Sequence, residues 1–152
     1  MKRLLLFAVA LSVVACTGEI AGIGPPSDPA NETFASSLGV NLAAMTKTPD
    51  GLYYRDLVIG TGPVLARDTT VTVNYSGYLA DGTLFDSGQN THFATAGLVP
   101  GVREGLIGMR VHGKRQLVIP SSLGYGQAGN PPTIPRQATL VFNIELVSID
   151  SA

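Results

Sequence analysis

Apolar and polar positions alternate along four stretches of this 152-residue chain. The four are rich in Val, Ile, Thr, Tyr and Phe, which favour β-strands, and they cover residues 52–59, 70–79, 115–119 and 138–149. In the second stretch Val71, Val73 and Tyr75 fall on one face, and Asp81-Gly82 follows it as a tight-turn signal. The pattern therefore predicts a sheet in the C-terminal two-thirds of the chain.

One short helix fits between the second and third predicted strands. Pro100 suits its first turn, and Val102, Leu106 and Met109 recur on one side. Several strands with a single short helix indicate an α+β domain, which we place at residues 51–152.

A second helical spacing lies at residues 29–50, ahead of this domain. Its apolar positions are Phe34, Leu38, Leu42 and Met45. Asp28 and Pro29 suit a helix N-terminus, whereas Gly39 and Val40 weaken the helix. Two interpretations stay open: a partly disordered approach segment, or a short helix that docks on the domain or on a second copy, which would give a homodimer.

The N-terminus has the three parts of an export signal. Lys2 and Arg3 precede an apolar run over residues 4–14, which Ala15 and Cys16 end. The run is shorter than the ~20 apolar residues that span a bilayer. We therefore predict a signal peptide at residues 1–15 and a location in the cell envelope.

Cys16 is the only cysteine of the chain, and its position resembles that in a bacterial lipobox. In this interpretation Cys16 is lipidated, becomes the first mature residue and holds the protein on a membrane. The alternative is an ordinary secretory signal with an incidental cysteine. Thr17 is not the aspartate associated with inner-membrane retention, which favours an outer membrane facing the periplasm if the organism has two. Residues 16–28 lack apolar periodicity and predict a flexible tether.

Composition excludes two classes of partner. Loss of Lys2 and Arg3 leaves 8 basic residues against 11 acidic ones, so the mature charge is 8 − 11 = −3. Because nucleic-acid binders carry a basic patch, we expect no nucleic-acid partner. His92 and His112 are the only histidines, too few with Cys16 for a structural zinc site.

Two further patterns suggest other chemistries but lack the necessary context. Residues 124–129 match the G-x-G-x-x-G dinucleotide fingerprint, yet three prolines over residues 131–135 prevent the helix that this fingerprint opens. The residue types of a catalytic triad are present in Ser87, His92 and Asp86, but the sequence around Ser87 does not match a nucleophile elbow.

Three collinear segments, at residues 73–87, 98–120 and 125–142, resemble the FKBP family of peptidyl-prolyl cis/trans isomerases. The resemblance extends over residues 51–149. It implies a twisted antiparallel sheet wrapped against one short α-helix. It also implies an isomerase that acts on proline-containing polypeptides without a cofactor and that can bind macrolides.

The resemblance further implies the residues of a pocket. The expected substrate-binding residues are Tyr75, Phe85, Phe93, Leu98, Val99, Val102, Ile134 and Phe142. Asp86 corresponds to a carboxylate at the pocket edge, directed toward Tyr75 and the twisting amide. Tyr125 and the Val99 amide correspond to donors to substrate carbonyls. Taken singly the aromatic residues also suit plain core positions, but their collinear order favours the pocket.

Two positions depart from the family pattern. Val102 stands where most active members have the tryptophan that forms the pocket floor, which predicts weaker substrate binding. Residues 87–91 are shorter than in the best-known members and lack their arginine. Three functions therefore stay open. The first is an isomerase that assists the folding of exported proteins, and the second is a low-activity, proline-peptide-binding or chaperone-like lipoprotein module. The third is a tethered scaffold whose N-terminal segment matters more than the pocket.

Overall fold

The structure is a computed structural model that describes residues 25–150. The predicted signal peptide, Cys16 and most of the predicted tether lie outside the described residues. Within the described part, no helix has the length and apolar character needed to cross a bilayer.

Six strands form one antiparallel sheet. They are β1 (Thr46–Lys47), β2 (Tyr53–Val58), β3 (Thr70–Leu79), β4 (Leu84–Ala94), β5 (Lys114–Ile119) and β6 (Leu140–Asp150). Their order across the sheet is β1-β2-β5-β6-β3-β4. The four strands predicted from the sequence are confirmed as β2, β3, β5 and β6, and so is the α+β class with one short α-helix.

Strand β4 has no counterpart among the sequence predictions. It pairs with β3 from Thr70 opposite Ala94 to Tyr78 opposite Leu84, with two register shifts on the way. Its middle is polar, and most of its residues are exposed, because it is the last strand of the sheet. Such an edge strand shows neither the apolar alternation nor the β-branched composition on which the prediction relied.

The sheet has two covered faces, which we call the front face and the back face. The front face carries the larger core, with Val71, Leu117, Leu140 and Leu146 fully or almost fully buried. Helix α1 (Pro100–Leu106) packs there and adds Val102 and Leu106 to this core. The predicted face of Val71, Val73 and Tyr75 is confirmed as part of it.

Two glycines allow α1 to approach the sheet closely. A Cβ atom on Gly105 would lie 2.4 Å from Leu117 Cδ2, and one on Gly101 would lie 2.5 Å from Ile119 Cγ2. Both distances are far below van der Waals contact, so larger residues would push the helix off β5. This close packing fixes the height of Val102 above the sheet.

The C-terminal end of α1 is held by Arg115 of β5. Its Nη1 donates to the carbonyl oxygens of Gly105 at 3.0 Å and Ile107 at 3.4 Å, acceptors that a helix end leaves without partners. Its Nε and Nη2 pair with Asp56 at 2.7 and 3.1 Å, and its guanidinium lies over the Tyr54 ring. Arg115 is buried, so this fork fixes the helix relative to β2 and β5.

The back face is covered by the N-terminal extension, residues 29–50. The continuous α-helix considered for it does not form; three 3-10 turns, Pro29–Asn31, Ser36–Leu38 and Leu42–Ala44, take its place. Gly39 adopts a left-handed conformation, with a φ of 61°, that ends the second turn. The apolar positions nevertheless pack on the domain, where Leu38 joins a cluster with Tyr53, Val118 and Val141. Docking on a second copy stays a prediction.

Hydrogen bonds to backbone carbonyl oxygens also hold the extension against the domain. Gln116 Nε2 donates to the Leu38 carbonyl oxygen at 2.8 Å, and the Ala35 amide donates to the Ala80 carbonyl oxygen at 2.8 Å. Asp28 caps the first 3-10 turn through the Ala30 amide, the role expected of it. Ser27, placed by prediction in the flexible tether, is bound to Ser121 of the domain. The fixed part of the chain therefore begins before residue 28.

Candidate functional site

A cavity of about 190 Å³ opens on the front face between the sheet and α1. It is lined by Val73, Tyr75, Asp86, Phe93, Gly97, Leu98, Val99, Val102, Leu106, Tyr125, Phe142 and Ile144. Four aromatic rings and six aliphatic side chains make up most of this lining. Polar groups sit at the rim, where Asp86 and Tyr125 are both exposed.

The structure brings eight of the ten predicted site residues together around this cavity. They are Asp86, Tyr125, Tyr75, Phe93, Leu98, Val99, Val102 and Phe142. The other two are not among the residues that line it. Phe85 packs edge-on against Phe142, with ring centroids 5.5 Å apart, and Ile134 is buried in the core at 2% exposure. Phe85 therefore supports one residue of the cavity wall, and Ile134 belongs to the core.

The cavity floor is formed by Val102 and Phe142. Each is only 7% exposed, and their side chains come from α1 and β6 respectively. Gly77 of β3 makes the position of Phe142 possible, because a Cβ there would lie 2.8 Å from Phe142 Cε1 and 2.7 Å from Phe85 Cζ. The floor is therefore set by strand and helix positions rather than by a loop.

Tyr75 and Asp86 form a polar pair at one edge. The Tyr75 hydroxyl donates to Asp86 Oδ2 at 2.9 Å, and the Tyr75 ring meets Phe93 edge-on at 5.6 Å. Burial, and secondly the bond to Asp86, raise the pKa of Tyr75 to about 12. Tyr75 is therefore a neutral donor at physiological pH that orients the carboxylate. Because Asp86 lies within β4, it is a strand residue and not the turn residue that its neighbours also suggested.

Two donors at the rim have no acceptor among residues 25–150. The Val99 amide precedes Pro100 at the N-terminus of α1, where helix amides point outward without intrahelical partners. The Tyr125 hydroxyl belongs to a side chain that is 38% exposed, in the loop between β5 and β6. Both groups therefore have a hydrogen-bonding capacity that residues 25–150 do not use.

Four lining residues were not among the predictions: Val73, Gly97, Leu106 and Ile144. Val73 and Leu106 did stand out in the sequence, but as core positions of a strand and a helix. Ile144 lies on the same face of β6 as Phe142, two residues on, so strand periodicity was the available signal. Gly97 carries no signal of its own.

Larger hollows of about 750 and 630 Å³ lie beside residues 64–70 and along α1. Their linings contain no aromatic side chain, and an exposed ion pair of Asp68 with Arg103 stands among them. Within the described residues, no three His, Cys, Asp or Glu side chains gather to hold a metal ion. The smaller aromatic cavity is therefore the better candidate site.

The alternative triad is not assembled. His92 Nδ1 lies 2.9 Å from Thr72 Oγ1 and 3.2 Å from Asp150 Oδ2, on the back side of β4, whereas Asp86 is bound to Tyr75. Residues 124–129, which match the dinucleotide fingerprint, form turns that no helix follows. Neither feature offers hydrolytic or nucleotide chemistry.

Comparisons with known proteins identify the family of this chain. A family model described as FKBP-type peptidyl-prolyl cis-trans isomerase matches residues 62–147, more than half of the chain. The FKBP-type 22 kDa peptidyl-prolyl cis-trans isomerase of Escherichia coli is 41% identical over 78% of this chain and 57% of its own length. The FKBP-type isomerase FkpA of the same organism is 40% identical over 80% of this chain and 44% of its own length.

A solved structure shows the same fold. The crystal structure of a peptidyl-prolyl cis-trans isomerase from Pseudomonas syringae superposes with a TM-score of 0.69 and 32% identity, covering 76% of this chain and 87% of that one. The chain spans about half the length of the two Escherichia coli relatives, 57% and 44%.

Proposed function

Since this chain belongs to the FKBP-type peptidyl-prolyl cis-trans isomerase family, we propose that its front-face cavity catalyses rotation about X-Pro peptide bonds. The observation that carries this proposal is the cavity itself, which is apolar and aromatic, with the Tyr75–Asp86 pair at one edge. The substrates are proline-containing polypeptides, and macrolides that fill the cavity are expected to compete with them.

The reaction makes and breaks no covalent bond. Rotation about a peptide bond is opposed by ~18–20 kcal/mol because twisting destroys amide resonance. At an X-Pro bond the isomers differ by less than ~1 kcal/mol but exchange over tens to hundreds of seconds. Bringing this to milliseconds, a factor on the order of 10⁴, requires about 5.5 kcal/mol of transition-state stabilisation.

An apolar cavity supplies this stabilisation by favouring the twisted amide over the planar one. A planar amide is strongly polarised by resonance and is well solvated by water, whereas the twisted amide has lost that polarisation. Transfer from water into the space above Val102 and Phe142 therefore costs the planar state more than the twisted state. Catalysis therefore needs an apolar cavity of the right shape that excludes water, and it does not need a nucleophile.

The rim groups orient the substrate. The Val99 amide and the Tyr125 hydroxyl donate to substrate carbonyls, and the Asp86 carboxylate, held by Tyr75, faces the reacting amide. Each neutral hydrogen bond contributes ~0.5–1.5 kcal/mol net, which is well below the total that catalysis requires. We assign these groups a positioning and electrostatic role beside the larger contribution of the cavity.

A second function is favoured by one observation, the valine at the cavity floor. Val102 offers a substrate proline ring a small aliphatic surface instead of a broad aromatic one. A shallow apolar contact weakens binding roughly in proportion to the area lost, at ~25 cal/mol per Å². The alternative is therefore a proline-peptide-binding or chaperone-like module that keeps the cavity but has little turnover.

Exchange NMR on a proline peptide separates the two functions. If the chain is an isomerase, substoichiometric amounts broaden and exchange the cis and trans signals, and an equimolar macrolide abolishes the effect. A chain that binds the peptide, shifts its signals and leaves their exchange unchanged is a binding module, and the isomerase proposal is then wrong.

We further propose that the protein works in the cell envelope, on exported proteins as they fold. Support comes from the charged start and apolar run of residues 1–14 and from Cys16 at their end. Residues 17–26 link Cys16 to the bound Ser27 and reach at most ~35 Å, so lipidation would keep the cavity close to a membrane. The outer membrane facing the periplasm is the proposed location if the organism has two membranes.

Cys16→Ser tests the anchor. With lipidation at Cys16, the variant loses incorporation of labelled fatty acid and moves from the membrane fraction to the soluble or unprocessed fraction, while the isomerase assay is unchanged. A processed Ser variant that still fractionates wholly with membranes would place the anchor elsewhere.

A further inference from the structure

Tyr125 is the one polar side chain of the cavity rim that is carried by a long loop, residues 120–139 between β5 and β6. The carbonyl oxygen of Ser121 accepts hydrogen bonds from the Gly124 amide at 3.0 Å and the Gly126 amide at 2.8 Å. These two glycines flank Tyr125. The position of Tyr125 over the cavity therefore depends on the position of Ser121.

Ser121 is held in turn by Ser27 of the N-terminal chain. The Ser27 amide donates to Ser121 Oγ at 2.9 Å, and the Ser121 amide donates to Ser27 Oγ at 2.9 Å. This reciprocal pair joins residues 94 positions apart, and Ser121 is only 1% exposed. A buried amide that loses its acceptor is costly, so the pair specifies where the loop begins.

The other end of the loop is held by the same segment. Thr139 immediately precedes β6 and is 2% exposed. Its hydroxyl oxygen lies 3.0 Å from Ser27 Oγ and 3.3 Å from Glu32 Oε1, and its single proton is donated to both as a bifurcated hydrogen bond. We call Ser27, Glu32, Ser121 and Thr139 the clasp. It closes both ends of the Tyr125 loop with two residues that lie before the isomerase domain.

We propose that Ser27 is a positioning residue for the cavity, acting through Ser121 on Tyr125. This inference rests on the proposed isomerase function. Ser27 itself is not among the residues that line the cavity, so its effect on substrate is indirect. The N-terminal chain therefore has a second role besides linking the domain to an anchor. Through Ser27 it sets the position of Tyr125, which donates a hydrogen bond to the substrate.

The test uses the full chain with three variants. Ser27→Ala removes the acceptor for Ser121, and Ser27→Thr keeps a hydroxyl there. Thr48→Ala is the matched control, because Thr48 Oγ1 accepts the Leu52 amide at 3.2 Å, a bond of the same kind beside β1 and away from the cavity. Each is also combined with Tyr125→Phe. Hydrogen exchange of the Gly124 and Gly126 amides and KM and kcat for a proline peptide are measured.

Ser27→Ala should speed exchange at both glycines and raise KM about two- to tenfold with little change in kcat, since a net hydrogen bond is worth about that much. Ser27→Thr should restore both values and Thr48→Ala should change neither. In the Tyr125→Phe background, Ser27→Ala should add almost nothing to KM. If Ser27→Ala prevents folding, Ser121→Ala, which removes the acceptor of the Ser27 amide in the same reciprocal pair, takes its place with the same readouts.

Unchanged exchange and KM in the folded Ser27→Ala chain, or losses that add fully in the double variant, would overturn the clasp. This failure is distinct from failure of the isomerase proposal. If the unmodified chain shows no turnover, amide exchange and peptide affinity still report whether Ser27 positions Tyr125.

Discussion

The two faces of the sheet are closed in different ways, and among residues 25–150 the aromatic cavity lies under the front-face closure. On the front face, α1 packs against β5 at a distance that two glycines set, over a continuous core of aliphatic residues. On the back face, three 3-10 turns lie across a smaller cluster around Val118 and Val141. The back face also uses polar contacts, such as Gln116 to the Leu38 carbonyl oxygen.

The two faces therefore contribute differently to stability and to function. A regular helix held by Arg115 bridges part of the front face and leaves the space above Val102 and Phe142 open. The irregular extension follows the back face closely and encloses no aromatic cavity. Substitutions on the front face should therefore change stability and catalysis together, whereas those in the apolar cluster of the back face, away from the clasp, should change stability alone.

The largest effect is expected from Phe142→Ala on the front face. The change removes a buried ring that also forms the cavity floor and supports Phe85, and such truncations cost ~3–5 kcal/mol. Urea unfolding should show this loss, and proline-peptide turnover of the remaining folded protein should fall. Full turnover in a destabilised Phe142→Ala protein would mean that catalysis happens elsewhere.

Leu38→Ala is the matched change on the back face. Leu38 is 7% exposed against Val118 and Val141, so its loss should cost ~2–3 kcal/mol by the same cavity effect. Macrolide affinity and turnover, measured below the unfolding transition, should stay at the level of the unmodified chain. A parallel loss of affinity would show that the two faces are coupled.

These contrasts bear on how much could be predicted from the sequence. Alternation placed β3 and β6 within a residue or two, because strands buried on one face repeat every second residue. The same reasoning missed β4, whose polar edge position has no such repeat, and it misjudged residues 29–45, where helical spacing accompanies separate 3-10 turns. Apolar positions identified what the extension buries but not the backbone that buries it.

The site was predictable to a similar degree. Family motifs named eight residues that line the cavity, yet they also named Phe85 and Ile134, which do not line it. A linear motif records that a residue is near a site and not which way its ring faces. The clasp at Ser27 and Thr139 had no signal at all, since it joins polar residues 112 positions apart.

Val102→Trp sharpens the comparison by altering only the cavity floor. A ring at this position should add contact to a substrate proline worth ~1–2 kcal/mol, at ~25 cal/mol per Å² over a partly covered ring face. Overpacking against Leu106 and Phe142 is the competing cost, at ~1–3 kcal/mol. Macrolide affinity and thermal unfolding of the same variant measure both. A stable variant with unchanged binding of macrolide and peptide would contradict the position assigned to Val102.

Tyr75 should make a smaller contribution, which changes the stability of the fold with pH. Burial and the Asp86 bond raise its pKa from 10.0 to about 12, so the unfolded chain releases this proton first as pH rises. The fold should therefore lose stability between pH 10 and about 12, and less so in Tyr75→Phe. Asp86→Asn should lower the pKa of Tyr75 only in part, because burial is the larger cause. Ultraviolet titration with Tyr75→Phe as the reference isolates this residue among the five tyrosines, and a complete return to 10.0 would reverse that order of causes.

The central claim is that the cavity catalyses by shape and dryness rather than by proton transfer, and kcat/KM of Tyr125→Phe tests it most directly. The variant keeps the ring and removes one donor, worth ~0.5–1.5 kcal/mol, so a loss of about tenfold at most is expected. The variant leaves Ile134 and the clasp unchanged, so the loop that carries residue 125 should keep its position. A loss beyond about a thousandfold, some 4 kcal/mol, would mean that the Tyr125 proton takes part in the chemistry and would contradict the account.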